Sequence, residues 1–324
     1  MILTFVEQRK GEVVDASLEA LSAGRRLADS LELPLAAMLI GADLERHTKR
    51  LEESGVEHAF LAQADELKRY SPAAYARVLA QAIETGSPKV VLAAATAMGK
   101  DLFGRAAARL DLGLASGCTE LDVENGELKI VRSIFGGVVL ADVELASKPK
   151  LLTLEPHAFP AEYGRQKRGM ETERLEVSLE EPDLRTIVRE LIEPVREGVS
   201  LAEAAVVVAG GRGVGSEEGF TVLEELAGLF NGAVGATRIA INNGWRPAEE
   251  QIGQTGARIA PKLYLACGIS GAVQHMVGCR DAKIIVAINK DPQAPIFSRA
   301  DWGIVGDLHQ VVPALIAEIN KARS

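Results

Sequence analysis

Cysteine, histidine, aromatic residues and positive charge are all scarce in this chain, and each scarcity removes a class of function. Its 324 residues include 3 Cys, 5 His and 4% aromatics. Cys118, Cys267 and Cys279 lack CxxC spacing, so the thiols read as reduced, in a cytoplasmic setting. His47, His58, His157, His275 and His309 are scattered, which argues against a metal site. Lys and Arg number 36 against 45 Asp and Glu, a net charge of −9. No basic patch with interleaved aromatics relieves that field, so nucleic acid is not an expected partner. No apolar run reaches the roughly 20 residues of a membrane helix, so the chain is not expected to insert in a membrane. Met1–Val6 is too short for a secretory core, and its basic residues follow rather than precede it.

What is present is ordinary globular composition: 47% hydrophobic and 25% charged residues, enough for two cores. The first half alternates strand and helix patterns. Strands are expected at Ile2–Val6, Pro34–Ile40, Ala59–Ala62 and Lys89–Ala94. Helices are expected at Ser17–Leu31, Asp43–Glu53, Ser71–Ile83 and Lys100–Leu110. From Cys118 the texture turns to strands. Thr119–Val123 and Glu127–Val131 flank Asn125-Gly126 as a hairpin, followed by strands at Val138–Val143 and Leu151–Leu154. Glu162–Arg174 reads as an exposed excursion, and Leu175–Leu179 as the last strand of the half. A boundary is expected between Glu180 and Glu203, around a short helix at Thr186–Leu191 and the break at Glu193-Pro194.

The second half gives strands at Ala204–Ala209, Ala233–Ala236, Leu263–Ala266, Lys283–Ile288 and Ile304–Val305. Helices are expected at Glu217–Phe230, with Ser216 as N-cap, from Ala272, and at Leu308–Ala322. The fold class is therefore α/β: two domains, residues 1–190 and 200–324, each a mostly parallel sheet flanked by helices.

In such sheets ligands sit at the carboxyl ends of strands. The residues just after the second-half strands are Gly210–Gly213, Thr237-Arg238, Gly268–Gly271, Asn289–Asp291 and Gly306-Asp307. Gly210-Gly-Arg-Gly-Val-Gly215 does not match GxGxxG, since the third glycine would fall at Ser216. No acid follows the second strand to hold an NAD ribose. The glycines alone could serve a tight turn, but Arg212 among them can pair bidentately with a phosphate. Gly268-Ile-Ser-Gly-Ala272 offers backbone N–H groups and the Ser270 hydroxyl to an anion at a helix start, or else is a plain turn. His275 follows on that helix, and a lone helical histidine is ordinarily a packing residue. Gln254-Thr255-Gly256 supplies an amide and a hydroxyl between glycines. No paired carboxylates, Cys/His couple or serine triad emerges, so the site reads as one that binds rather than breaks bonds.

The second half resembles the alpha subunit of the electron transfer flavoproteins. The resemblance rests on Gly210-Gly-Arg-Gly213, Ala236-Thr-Arg238, Asn243-Gly-Trp245, Gln251-Ile-Gly-Gln-Thr-Gly256 and Ala260-Pro-Lys-Leu-Tyr264. Gly268-Ile-Ser-Gly-Ala-Val-Gln-His275, Val286–Pro292 and Ala294-Pro-Ile-Phe297 complete it. Two departures are visible: Thr237 where serine is frequent, and Ala257 where lysine is frequent. The resemblance implies a Rossmann-like C-terminal domain holding FAD, and a beta subunit completing a heterodimer, contacted through the strand-rich part of the first domain. It implies an electron carrier rather than an enzyme with its own substrate, serving flavin dehydrogenases and a membrane quinone oxidoreductase, as in fatty acid β-oxidation.

Carried over by that resemblance, Arg238 lies against the isoalloxazine ring and Thr255 bonds its N5 region, with His275 at the pyrimidine carbonyl. Thr237 keeps the hydroxyl beside Arg238, while Gln251, Ile252, Gly253 and Gln254 line the same wall. Arg212 with Ser270, Gly271, Ala272, Val273 and Gln274 holds the pyrophosphate, and Asn289, Asp307 and Leu308 the adenosine end. A cation or a helix N-terminus near N1 and the C2 carbonyl would favour the charge that reduction places there, so Arg238 and His275 are the expected potential-setting pair. An electron-bifurcating subunit, a free-standing NAD-dependent oxidoreductase and a non-redox nucleotide-binding module are the alternatives.

Overall fold

The computed structural model describes residues 1–9, 11–135, 139–162, 169–186, 188, 199–201 and 203–323. The expected helix at Thr186–Leu191, the break at Glu193-Pro194 and the middle of the Glu162–Arg174 excursion lie wholly or partly outside them. The chain divides into two compact units, Met1–Phe135 with Val139–Ile192, and Glu193–Ser324.

The first unit contains strands β1 (Ile2–Phe5), β2 (Leu35–Gly41), β3 (His58–Gln63), β4 (Val90–Ala94), β5 (Leu114–Glu124), β6 (Glu127–Ile134), β7 (Val139–Val143), β8 (Lys150–Leu154) and β9 (Glu171–Arg174). They form one sheet in the order β9-β3-β2-β1-β4-β8-β5-β6-β7. Every neighbouring pair is parallel except β5–β6 and β6–β7. The central strands β1, β2 and β4 are buried along their whole length, as continuous apolar runs require when helices cover both faces. Helix α1 (Asp15–Ser30) packs Leu18, Leu21 and Leu27 on one face. Helices α3 (Pro72–Gly86) and α4 (Ala97–Leu110) pack Leu79, Ile83, Leu102 and Phe103 on the other. Asn125 (φ 53°) and Gly126 (φ 80°) close the β5–β6 hairpin, with Glu124 opposite Glu127. Two successive left-handed residues make the mirror-image turn that suits strand twist.

Two expectations are corrected here. The charged helix expected at Asp43–Glu53 is a 3-10 turn, Leu44–His47, followed by the short α2 (Thr48–Glu53). Asp43 has φ 52°, outside the helical range, so no α-helix can begin there. The last strand is Glu171–Arg174, not Leu175–Leu179. Leu175, Val177 and Leu179 do alternate toward the core, which is why they read as a strand. The ladder with β3 nevertheless ends at the bond from Leu175 N to Leu61 O, two residues before β3 itself ends at Gln63.

The second unit contains β10 (Val206–Gly210), β11 (Ala233–Ala236), β12 (Leu263–Cys267), β13 (Ile285–Asn289) and β14 (Trp302–Val305), all parallel, in the order β11-β10-β12-β13-β14. One face lies under α5 (Thr221–Leu229) and α8 (Leu308–Arg323), through Leu223, Leu226, Val312 and Ile316. Ser216 accepts from Gly219 N at 3.2 Å and starts the turn that leads into α5. The other face is covered by irregular chain: Ile252, Ile259, Ile269, Met276 and Ile296 pack there against Val207, Tyr264 and Ala287. The order of winding reverses between β10 and β12: the chain leaves β10 for β11 on one side, and β12, β13 and β14 are added on the other. That switch point opens a crevice at their carboxyl ends.

Candidate functional site

A cavity of about 690 Å³ occupies the crevice. Four strand ends supply its walls: Arg212 and Gly213 after β10, Thr237 and Arg238 after β11, Gly268, Ile269 and Ser270 after β12, and Asn289, Lys290 and Asp291 after β13. The segment from Gln251 to Thr255 and the residues Ala272, Gln274 and His275 close the sides. The volume lies in the range of small-molecule and cofactor sites.

Backbone approach makes the floor. Gly213 N donates to Gly268 O at 3.0 Å, and Gly211 N to Cys267 O at 3.0 Å. A Cβ built on Gly213 would stand 2.7 Å from Gly268 Cα. Gly268, at φ 63°, could carry one only 2.8 Å from Gly213 Cα. Glycine is therefore required at both positions.

The donors are free for a ligand. The Thr237 hydroxyl is buried on the cavity wall without a hydrogen-bond partner, among the described residues. Arg212, Arg238 and Lys290 border the same space, and none of the three pairs with a carboxylate among the described residues. Unpaired cations and an orphaned buried hydroxyl around one crevice are the donor set of an anion-binding site. A bulky anionic cofactor such as FAD fits that set. Gln251 Nε2 donates to Thr255 Oγ1 at 2.8 Å, which holds the Thr255 hydroxyl in place on the rim.

His275 is 7% exposed and both its ring nitrogens are engaged. Nδ1 lies 3.1 Å from Ile252 O and Nε2 lies 2.6 Å from the Tyr264 hydroxyl. A carbonyl only accepts, so Nδ1 carries the proton and Nε2 accepts from Tyr264. Burial, only partly countered by the Ile252 carbonyl, pushes the His275 pKa down to about 4. The ring is therefore neutral near pH 7 and offers the cavity no free N–H, so it adds no charge to that of Arg238.

The same shift predicts a stability effect. The unfolded ring binds a proton near the ordinary value of 6.5, the folded ring only near 4. Between those values the unfolded state holds more protons, so this contribution is complete above 6.5 and is withdrawn as pH falls toward 4. From about pH 7.5 to about pH 5 the loss is about 2 kcal/mol. Urea unfolding of wild type and His275→Gln should show the gap between them narrowing by that amount on acidification. A gap independent of pH would mean the histidine is not held neutral.

Of the residues expected at the site, Arg212, Thr237, Arg238, Gln251, Ile252, Gly253, Gln254, Thr255, Ser270, Ala272, Gln274, His275 and Asn289 border the cavity. Gly271, Val273, Asp307 and Leu308 do not. Gly271 is buried, and a Cβ on it would meet the Ile296 backbone at 2.5 Å. Val273 is 48% exposed, at the start of a helix that runs only from Val273 to Met276. So short a helix has little dipole to offer an anion, and only its first-turn N–H groups remain. Leu308 is buried in the core under α5, and Asp307 accepts from His309 N at 2.9 Å as the local cap of α8. The Asn289 amide donates to Ile269 O at 2.9 Å and its carbonyl accepts from Asp291 N at 3.0 Å, so it braces two loops against each other. Lys290 and Asp291 were legible only as part of a strand-end motif, and Ile239, Ala294 and Pro295 carried no sequence signal as wall residues. Tyr264 ends the motif Ala260-Pro-Lys-Leu-Tyr264, which gave it no role at the site.

Residues 2–181 match the electron transfer flavoprotein domain, and residues 200–280 match the electron transfer flavoprotein FAD-binding domain. The chain is 39% identical over 324 residues to the electron transfer flavoprotein subunit alpha of Thermoanaerobacterium thermosaccharolyticum, covering 99% of this chain and 98% of that one. It is 40% identical over 320 residues to the subunit of the same name from Bacillus subtilis, covering 99% and 97%. Protein FixB of Clostridium saccharobutylicum is 42% identical over 320 residues, covering 98% and 95%. Two family domains in sequence and relatives matched end to end place this FAD-binding chain in the electron transfer flavoprotein family, among its alpha subunits.

Proposed function

We propose that the switch-point cavity of the second unit is where FAD is held, and that the chain works as an electron carrier between flavin dehydrogenases and a quinone oxidoreductase. The observation that carries this reading is the meeting of Arg212, Arg238 and Lys290, all without carboxylate partners among the described residues, around the orphaned Thr237 hydroxyl. Arg212, Ser270 and the glycine floor would take the pyrophosphate. Arg238, Gln254 and Thr255 would border the isoalloxazine, and Asn289 to Asp291 the adenosine end. Bound FAD supplies the redox chemistry, and the protein supplies position and charge. Nothing among these side chains forms an acid–base or nucleophilic pair, which suits a carrier rather than an enzyme with a substrate of its own.

A beta-type subunit is the proposed partner, docking on the strand-rich part of the first unit. Phe135, Val139 and Leu140, at the facing ends of β6 and β7, are exposed apolar residues there. No helix among the described residues is long and apolar enough to cross a membrane. The alternative, an electron-bifurcating complex, differs by a second flavin on the partner subunit.

Co-expression with a beta-type subunit and flavin analysis of each separated chain tests the reading. The expected product is a yellow heterodimer that releases FAD from this chain and is reduced by an acyl-CoA dehydrogenase. A colourless heterodimer, or one that releases NAD, would sink it. Two flavins per heterodimer would select the bifurcating version.

A further inference from the structure

Tyr264 is wholly buried on the middle strand β12, and it brings a hydroxyl into a core face otherwise built of apolar side chains. Such a hydroxyl persists when a partner satisfies it and when its removal would leave that partner orphaned. Its partner is the Nε2 of His275, at 2.6 Å. The other ring nitrogen holds Ile252 O at 3.1 Å. Ile252 opens the segment that carries Gln254 and Thr255. Its own N–H bonds Ala236 O at the end of β11, Gly253 N bonds Ala257 O, and Gln254 N bonds Gln274 O, next to His275 in the chain. One chain of hydrogen bonds therefore runs from β12 through the imidazole into the wall of the cavity.

We propose that Tyr264 is a positioning residue: its hydroxyl donates to His275 Nε2 and so holds the imidazole where Nδ1–H grips the Ile252 carbonyl and sets the Ile252–Thr255 wall. The proton order follows from the carbonyl, which only accepts, so the tyrosine has to be the donor at the other nitrogen. The titratable groups beside this pair are Cys279, just past the Val273–Met276 helix, and Cys267, on β12. Burial pushes both thiols up to about 12, so neither competes as an anion. Removing the hydroxyl leaves a buried acceptor nitrogen without a donor. The ring then gains by turning toward the cavity, which frees the Ile252 carbonyl and loosens the segment bearing Gln254 and Thr255.

The consequence for FAD rests on the reading that the cavity holds it, while the tautomer does not. The test uses the full chain labelled with 15N-histidine, with and without FAD, in wild type and Tyr264→Phe. Long-range proton–nitrogen spectra should show His275 of the wild type, FAD-free, as a neutral ring protonated at Nδ1 with a hydrogen-bonded Nε2. In Tyr264→Phe that signature should give way to mixed tautomers, and FAD should bind about tenfold more weakly, with cooperative unfolding retained. A wild-type ring protonated at Nε2 overturns the assignment without recourse to any variant. So does a Tyr264→Phe chain with unchanged tautomer or unchanged FAD affinity. Wild type that shows the expected tautomer but binds no FAD would instead sink the cavity reading and leave the tyrosine's place intact.

Discussion

Gly213→Val is expected to strip the flavin from the protein. The valine Cβ would stand 2.7 Å from Gly268 Cα and 3.0 Å from Gly268 O, both backbone atoms that no rotamer change can move. The bond from Gly213 N to Gly268 O, which closes the floor between the β10 and β12 loops, cannot survive that contact. Forcing bulk into a packed site costs about 1–3 kcal/mol, equivalent to roughly tenfold to a hundredfold in affinity if it falls on the bound form. Flavin absorbance per chain after gel filtration is the readout, with far-UV circular dichroism to confirm a folded sheet. Gly228→Ala is the matched control. It lies in α5, a Cβ there meets nothing within 4 Å, and alanine in a helix stabilises by about 0.5–1 kcal/mol. A Gly213→Val chain that keeps its flavin would remove this floor from the site.

Arg238→Ala is expected to lower the first reduction potential of the bound flavin. Arg238 opens α6 (Arg238–Asn242) at the cavity edge and, among the described residues, has no carboxylate to neutralise it. Because His275 is neutral, Arg238 is the charged member of the pair, and the potential-setting role expected of the two falls to the arginine. Reduction adds negative charge, so an unpaired guanidinium favours the reduced form. A charge-assisted contact worth about 1.5–3 kcal/mol corresponds to roughly 60–130 mV for a one-electron step. Its exposure places the effect at the lower end. Spectroelectrochemistry of wild type, Arg238→Ala and Arg238→Lys checks it, with lysine expected to retain most of the shift. Equal potentials in wild type and alanine variant would refute the role.

Much of the architecture was legible residue by residue because its causes are local. Val90–Ala94 and Leu35–Gly41 are short apolar runs that only a sheet covered on both faces can bury. Asn125-Gly126 dictates its hairpin through two left-handed residues. In the second unit, glycine, hydroxyl and cation types recur just past successive strands. A parallel sheet must bring such ends to one edge, so the sequence alone groups Arg212, Arg238, Ser270 and Asn289.

The tertiary structure alone decided which groups are spent and which are free. Leu308 and Asp307 follow β14 in the chain, yet β14 is the edge strand, two places removed from the switch point, and Leu308 falls into the core. Whether Leu175–Leu179 or Glu171–Arg174 pairs with β3 is a matter of register, Glu171 lying opposite His58, which alternation cannot reveal. The state of His275 depends on a tyrosine eleven positions away and a carbonyl twenty-three positions away. Turn chemistry and apolar period are written in neighbouring residues. Hydrogen-bond partners and burial belong to residues distant in the chain, and only packing brings those together.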